Sequence, residues 1–171
     1  MKNIVYLTKL TVDFEISKED IVTILTDKHT HEDMKNKYDG EEFVAEILNC
    51  KRAIEYVQQN NTRLPSEVDF LQLYKILSEG VPSVTNLGNY RTFLSSFRVR
   101  RLFEKRVHGG MNEAEIVKFI ESLLKAWPFL VYSEAVSKLL MDWLYDYHNF
   151  KTNDKLVNDV FGKYLIHYDL V

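Results

Sequence analysis

The sequence predicts a mainly α-helical fold carrying one small β-hairpin, and three observations lead there. Only 6 glycines and 3 prolines interrupt 171 residues, so few positions force the chain out of regular structure. Apolar residues recur at three- and four-residue spacing over long stretches, the period of a half-buried helix. Polar residues suited to free backbone N–H groups stand just ahead of several of those stretches.

In chain order, the first sixteen residues read two ways. Ile4, Tyr6, Leu10, Val12, Phe14 and Ile16 alternate as in a half-buried strand, and a helix is equally compatible. Ser17 with Asp20 then caps a short helix over Ile21, Ile24 and Leu25, and the charged run DKHTHEDMKNKYDGEE follows as a connector. A helix from about Glu41 to Gln59 places Phe43, Ile47, Cys50, Ile54 and Val57 on one face. Pro65 and Ser66 open the next, with Asp69 in a capping pattern, Phe70, Leu73, Tyr74 and Leu77 inside, and Gly80 as its stop. The segment from Tyr90 to Gly110 alternates loosely, is rich in β-formers and ends in Gly-Gly, which predicts the hairpin. Asn112 with Glu115 caps a helix through Ile116, Phe119, Ile120, Leu123 and Trp127 to Pro128. Two more helices follow, one from Ser133 to near His148 and one opening at Asn153 with Val157, Val160, Phe161 and Tyr164.

Composition narrows the function classes. With 46% hydrophobic and 27% charged residues the chain suits one globular domain, residues 1–40 forming an N-terminal segment packed on a helical domain over 41–171. A net charge of −3 gives no global attraction to nucleic acid or anionic membrane. The single cysteine, Cys50, lies on an apolar seam and suits a reducing compartment. No apolar run approaches a membrane span and no signal peptide is evident, so a cytoplasmic protein is expected.

Two clusters suggest chemistry and are weighed against plainer readings. Asp27, His29, His31, Glu32 and Asp33 resemble a set of metal ligands. A closed zinc site needs four ligands fixed by structure, whereas charged connectors are usually solvated, so no metal site is assigned. Arg91, Arg98, Arg100, Arg101, Lys105 and Arg106 stand against the single acid Glu104, with Phe93, Phe97 and Phe103 between them. That segment could hold phosphate or stack on bases, but on a hairpin such residues more often serve edge protection and packing, and nucleic acid is not the expected partner.

The order of several motifs resembles the Fic/Doc (Fido) family from about Glu41 to Tyr164. EILNCKRAI (Glu46 to Ile54) is similar to the family's E(I/V)xNxxxA helix, and LYKILSEG (Leu73 to Gly80) to its LHxxLxxG helix. GNYRT (Gly88 to Thr92) looks like the GxYRT turn that opens the family's β-hairpin flap, and IVKFIESLLKAWP like its helix ending in WL near a proline. The family's catalytic loop HPFx(D/E)GNGR falls on HNFKTNDKL, where His148 and Phe150 match. The resemblance implies a general base at His148, which would take the proton of a target hydroxyl, and a loop anchor buried in the core at Phe150.

The remaining loop positions depart from the family. Thr152 replaces the acidic magnesium ligand, Asn153 and Lys155 the two glycines, Asp154 the asparagine and Leu156 the arginine. Those glycines and that arginine would cradle phosphates at a helix N-terminus, and Asp154 in the first helical turn opposes an anion there. Asn153, Asp154, Lys155 and Arg91 are therefore the candidate cofactor-facing residues of an altered site. An inhibitory (S/T)xxxE(G/N) helix finds a partial counterpart in TKLTVD (Thr8 to Asp13), with Val12 at the glutamate position. The expectation is a Fic-like protein with a degenerate loop, a non-catalytic interaction or regulatory module with a protein partner and no cofactor. The alternative is an active transferase moving AMP or phosphate from magnesium ATP to a protein hydroxyl.

Overall fold

The structure, a computed structural model, describes residues 2–12, 14–82, 93–106, 111–126, 132–150, 155–156 and 159–160. Eight α-helices and no strand occur among them: α1 (Lys2–Lys9), α2 (Lys18–Thr26), α3 (His31–Tyr38), α4 (Glu42–Asn60), α5 (Glu67–Ser78), α6 (Phe93–Arg106), α7 (Glu113–Ala126) and α8 (Ser133–Tyr147). Residues 155–156 and 159–160 are also helical. No helix among the described residues is long and apolar enough to cross a membrane.

The hub is α4, which touches α1, α2, α3, α5 and α8. Of the predicted stripe, Phe43, Ile47, Cys50 and Val57 are buried on its inner face, joined by Ala53, while Ile54 is only partly buried. Helix α8 packs against α4, α5 and α7, and Val136, Leu139, Leu140, Met141, Trp143, Leu144 and Tyr145 are buried along it, leaving a narrow polar stripe of Glu134, Lys138, Asp142 and Asp146 at four-residue spacing. Buried Lys138 is neutralised by Asp142 one turn on, and its ammonium stands 5.9 Å from the Tyr6 ring centre of α1.

The open reading at the N-terminus resolves to a helix. Ile4, Leu7, Thr8 and Thr11 are buried at helical spacing, and Thr8 folds its hydroxyl back onto the Ile4 carbonyl at 2.8 Å. The alternation of even positions was coincidental, because Leu7 is fully enclosed while Phe14 is 39% exposed.

Two expectations are corrected. The connector after α2 is ordered as a 3-10 turn (Lys28–Thr30) followed by α3. Asp20 holds this helix in place by accepting bonds from Lys37 and Tyr38, and Met34 and Tyr38 pack on the core. The hairpin is not found where its residues are described, since Phe93–Arg106 is the helix α6. Val99 and Phe103, four residues apart, form its buried seam. Phe103 meets Phe70 and Phe119 edge-on at 6.0 and 5.3 Å. Phe97, which suggested alternation, is 52% exposed, and the Arg and Leu residues between the aromatics, with Glu104 and Lys105 after them, favour a helix. Tyr90 to Thr92 and Gly109 to Gly110 lie outside the described residues.

All three predicted caps are present, the Ser17 side chain accepting from the Asp20 N–H at 3.1 Å before α2. Ser66 and Asp69 form a reciprocal capping box at α5, and Asn112 and Glu115 exchange backbone bonds at α7, 3.0 and 2.9 Å long. Gly80 ends α5 with φ of 70°, a left-handed conformation that glycine adopts without cost.

Candidate functional site

The site begins where α8 stops. His148 is its C-cap, Asn149 takes φ of 56°, and two bonds close the end: Asn149 N–H to the Asp146 carbonyl at 3.1 Å and Phe150 N–H to the Tyr145 carbonyl at 2.9 Å. This paired pattern is a Schellman motif, in which a left-handed residue turns the chain and satisfies the last carbonyls. Its usual apolar contact is present as well, the Phe150 ring standing 6.2 Å from Tyr145 and edge-on to it. Asparagine is the residue after glycine that best tolerates the left-handed region.

The matched loop residues thus have a local structural role. Phe150, expected as a buried anchor, is 37% exposed. Its position after the left-handed turn puts it across the helix end rather than down into the core. His148 lies half-buried between neighbours, edge-on to Tyr147 at 5.0 Å and stacked on Phe150 at 5.7 Å. Its Nε2 is buried and has no hydrogen-bond partner among the described residues.

Beside the helix end runs an open groove of about 840 Å³, lined by Gln58, Asn61 and Thr62 on one side and Asp146, Tyr147, Asn149 and Phe150 on the other. Asn61 donates to Asp146 across it at 3.2 Å. Behind it, Trp143 donates to the Arg63 carbonyl at 2.7 Å and Arg63 grips Asp69 through two bonds of 2.7 and 2.6 Å. Tyr56 adds a third bond to Asp69. Burial pushes the Asp69 carboxyl up, but hydrogen bonds from Arg63 and Ser66 outweigh it and hold the group well below the usual carboxylate range. The knot fixes the turn after α4 against α8, so the groove walls share one rigid support.

The electrostatics of the groove follow from its two helices. Both α4 and α8 end here, and helix C-termini carry partial negative charge from their aligned peptide dipoles. Among the described lining residues the one formal charge is Asp146. The described lining residues do not fit a magnesium nucleotide, since they offer one carboxylate and no cation.

The other candidates are distributed as follows. Lys155 is exposed and Leu156 half-buried, on the short helical stretch beyond the loop. Asn153, Asp154, Arg91 and Thr152 lie outside the described residues. Arg98, Arg101 and Lys105 are exposed on α6, while Arg100 pairs with Glu67 of α5 at 3.1 Å. His31 is used by the fold, with Nε2 2.8 Å from the Ile24 carbonyl, and Asp27 caps the 3-10 turn by accepting from the His29 N–H. Among the described residues no group of three or more His, Cys, Asp or Glu is arranged to hold a metal ion.

The family-like pattern EILN also has a packing role. Asn49, 3% exposed, donates from Nδ2 to the carbonyls of Leu77 and Glu79 at 3.1 and 2.7 Å, closing the C-terminus of α5 from the side. Asp146, Asn61 and Asn149 went unnoticed in the sequence. Asn149 alone carried a signal there, as an asparagine just past the end of a helix.

Neither a protein-family model nor a curated protein nor a solved structure matches the chain.

Proposed function

We propose that this chain is a helical interaction module of Fic-like arrangement whose loop does not transfer nucleotide, and that it acts by binding a protein partner. The observation that carries this reading is Asn149 at φ of 56°. The family pattern has proline there, and proline is locked near φ of about −65°. It also disfavours helical backbone in the residue before it, whereas His148 has φ of −87° and ψ of 2°. A loop beginning HPF therefore leaves the helix by a different route from one beginning HNF. The negative character of the adjacent groove supports the same conclusion. A transferase must neutralise phosphate where charge develops, and losing one such donor costs roughly a hundred- to a thousandfold in rate.

A second reading keeps the enzyme, on the specific ground that His148 Nε2 is buried and has no partner among the described residues. Calorimetry with magnesium ATP at millimolar concentration, together with transfer of labelled AMP or phosphate to lysate proteins, separates the two. The expected result is no heat and no label. Label transfer that disappears in His148→Ala would establish the enzyme. Rebuilding the loop with Asn149→Pro, Thr152→Asp, Asn153→Gly, Asp154→Asn, Lys155→Gly and Leu156→Arg should create nucleotide binding. Failure of the rebuilt, folded chain to bind any nucleotide would reduce the family likeness to a similarity of outline.

A further inference from the structure

We propose that the groove between the ends of α4 and α8 binds an arginine side chain of a partner protein. The inference rests on the interaction reading above and names what this site recognises. Four features converge on a planar cation. Asp146 is exposed, its carboxylate accepts a 3.2 Å bond from Asn61, and among the described residues no cation pairs with it. The C-termini of α4 and α8 both add negative potential at the same place. Tyr147 and Phe150 supply aromatic rings to the lining, and Phe150 retains 37% exposure although it is large and apolar. The side-chain amides of Gln58 and Asn61 add neutral oxygen acceptors.

A guanidinium satisfies all four at once. It stacks on an aromatic face, donates in a fixed fork to a carboxylate and an amide oxygen, and stays charged at any working pH. A lysine ammonium meets the charge but neither the plane nor the fork. Anions are opposed by both helix ends and by Asp146, so an acidic peptide or nucleic acid is the wrong partner for this groove. The volume of about 840 Å³ leaves room for the backbone of an extended segment beside the guanidinium, in the size range of ordinary ligand sites.

The test titrates the full chain with acetyl-Gly-Arg-Gly-amide and with its citrulline counterpart, which keeps the shape and loses the charge, while amide NMR signals are followed. The expected result is saturable shifts at Asn61, Thr62, Tyr147 and Asn149 with the arginine peptide, and affinity lower by about fivefold in Asp146→Asn, the ratio expected for one exposed charge contact. Phe150→Leu, which keeps apolar bulk without the ring, should weaken binding by about threefold. Equal binding of the citrulline peptide, shifts elsewhere on the surface, or no shift at roughly 10 mM peptide, where contacts of this strength would register, overturns the proposal. Magnesium ATP run in parallel distinguishes the two levels of inference. If neither ligand binds, the arginine site is wrong while the non-transferase reading stands, and if the nucleotide binds in this groove both fall.

Discussion

Restoring the proline of the HPF pattern, Asn149→Pro, tests whether the end of α8 is built as described. Proline removes the N–H that reaches the Asp146 carbonyl at 3.1 Å and cannot adopt the observed φ of 56°. The turn must then open, which also breaks the 2.9 Å bond from Phe150 to Tyr145 and their ring contact at 6.2 Å. Two hydrogen bonds at about 1 kcal/mol each and an aromatic pair at about 0.5–1 kcal/mol give a loss of roughly 2–3 kcal/mol. Asn149→Gly should be neutral or stabilising by about 0.5 kcal/mol, and Asn149→Ala should lose about 1 kcal/mol because its Cβ is strained in the left-handed region. Urea unfolding followed by tryptophan fluorescence suits the measurement, because Trp143 is fully buried in the last turns of the same helix. The order Gly, Asn, Ala, Pro from most to least stable is the signature. A proline variant within 0.5 kcal/mol of the parent, at the limit of such a measurement, would refute the motif.

Further predictions concern other parts of the fold. Asn49→Ala should cost about 2–3 kcal/mol in urea unfolding, because the Leu77 carbonyl loses its buried donor; a loss no larger than that of an exposed substitution would show that Asn49 is not the closure of α5. Phe150→Ala should cost roughly 1–2 kcal/mol, less than for a fully enclosed ring, since 37% of the residue is exposed. His148→Ala should stay within about 0.5 kcal/mol, its Nε2 having no bond to lose among the described residues. Cys50 is enclosed, and burial pushes its thiol up to about 12, so it should resist a thiol reagent at neutral pH in the native protein and react only on unfolding. Hydrogen bonds from Lys37 and Tyr38 lower the Asp20 carboxyl to about 2, against about 3.9 in an unfolded chain. Being depressed in the folded state, Asp20 contributes stability that is present above the unfolded value and is lost as pH falls through about 2. Stability should therefore decline across that window less steeply in Asp20→Asn than in the parent, as acid titration of the circular dichroism signal would record.

By itself the sequence determined the helices that carry an apolar stripe or a polar cap. The stripe over Phe43, Ile47, Cys50 and Val57, the Ser66–Asp69 box before α5 and the Asn112–Glu115 box before α7 all depend on neighbours three or four residues away, and such spacing is legible in one dimension. The structure decided what depends on distant contacts. Helix α3 is charged along most of its length and gains its place from Asp20, 17 and 18 positions before its partners Lys37 and Tyr38. Helix α6 was misread because Phe97 and Phe103 look alike in sequence, and only the presence of Phe70 and Phe119 makes the second a core residue and leaves the first outside. The groove was hidden for the same reason. It exists because α4 and α8, separated by more than seventy residues of chain, end side by side, and the charge at that meeting point comes from backbone peptide dipoles that no residue type announces.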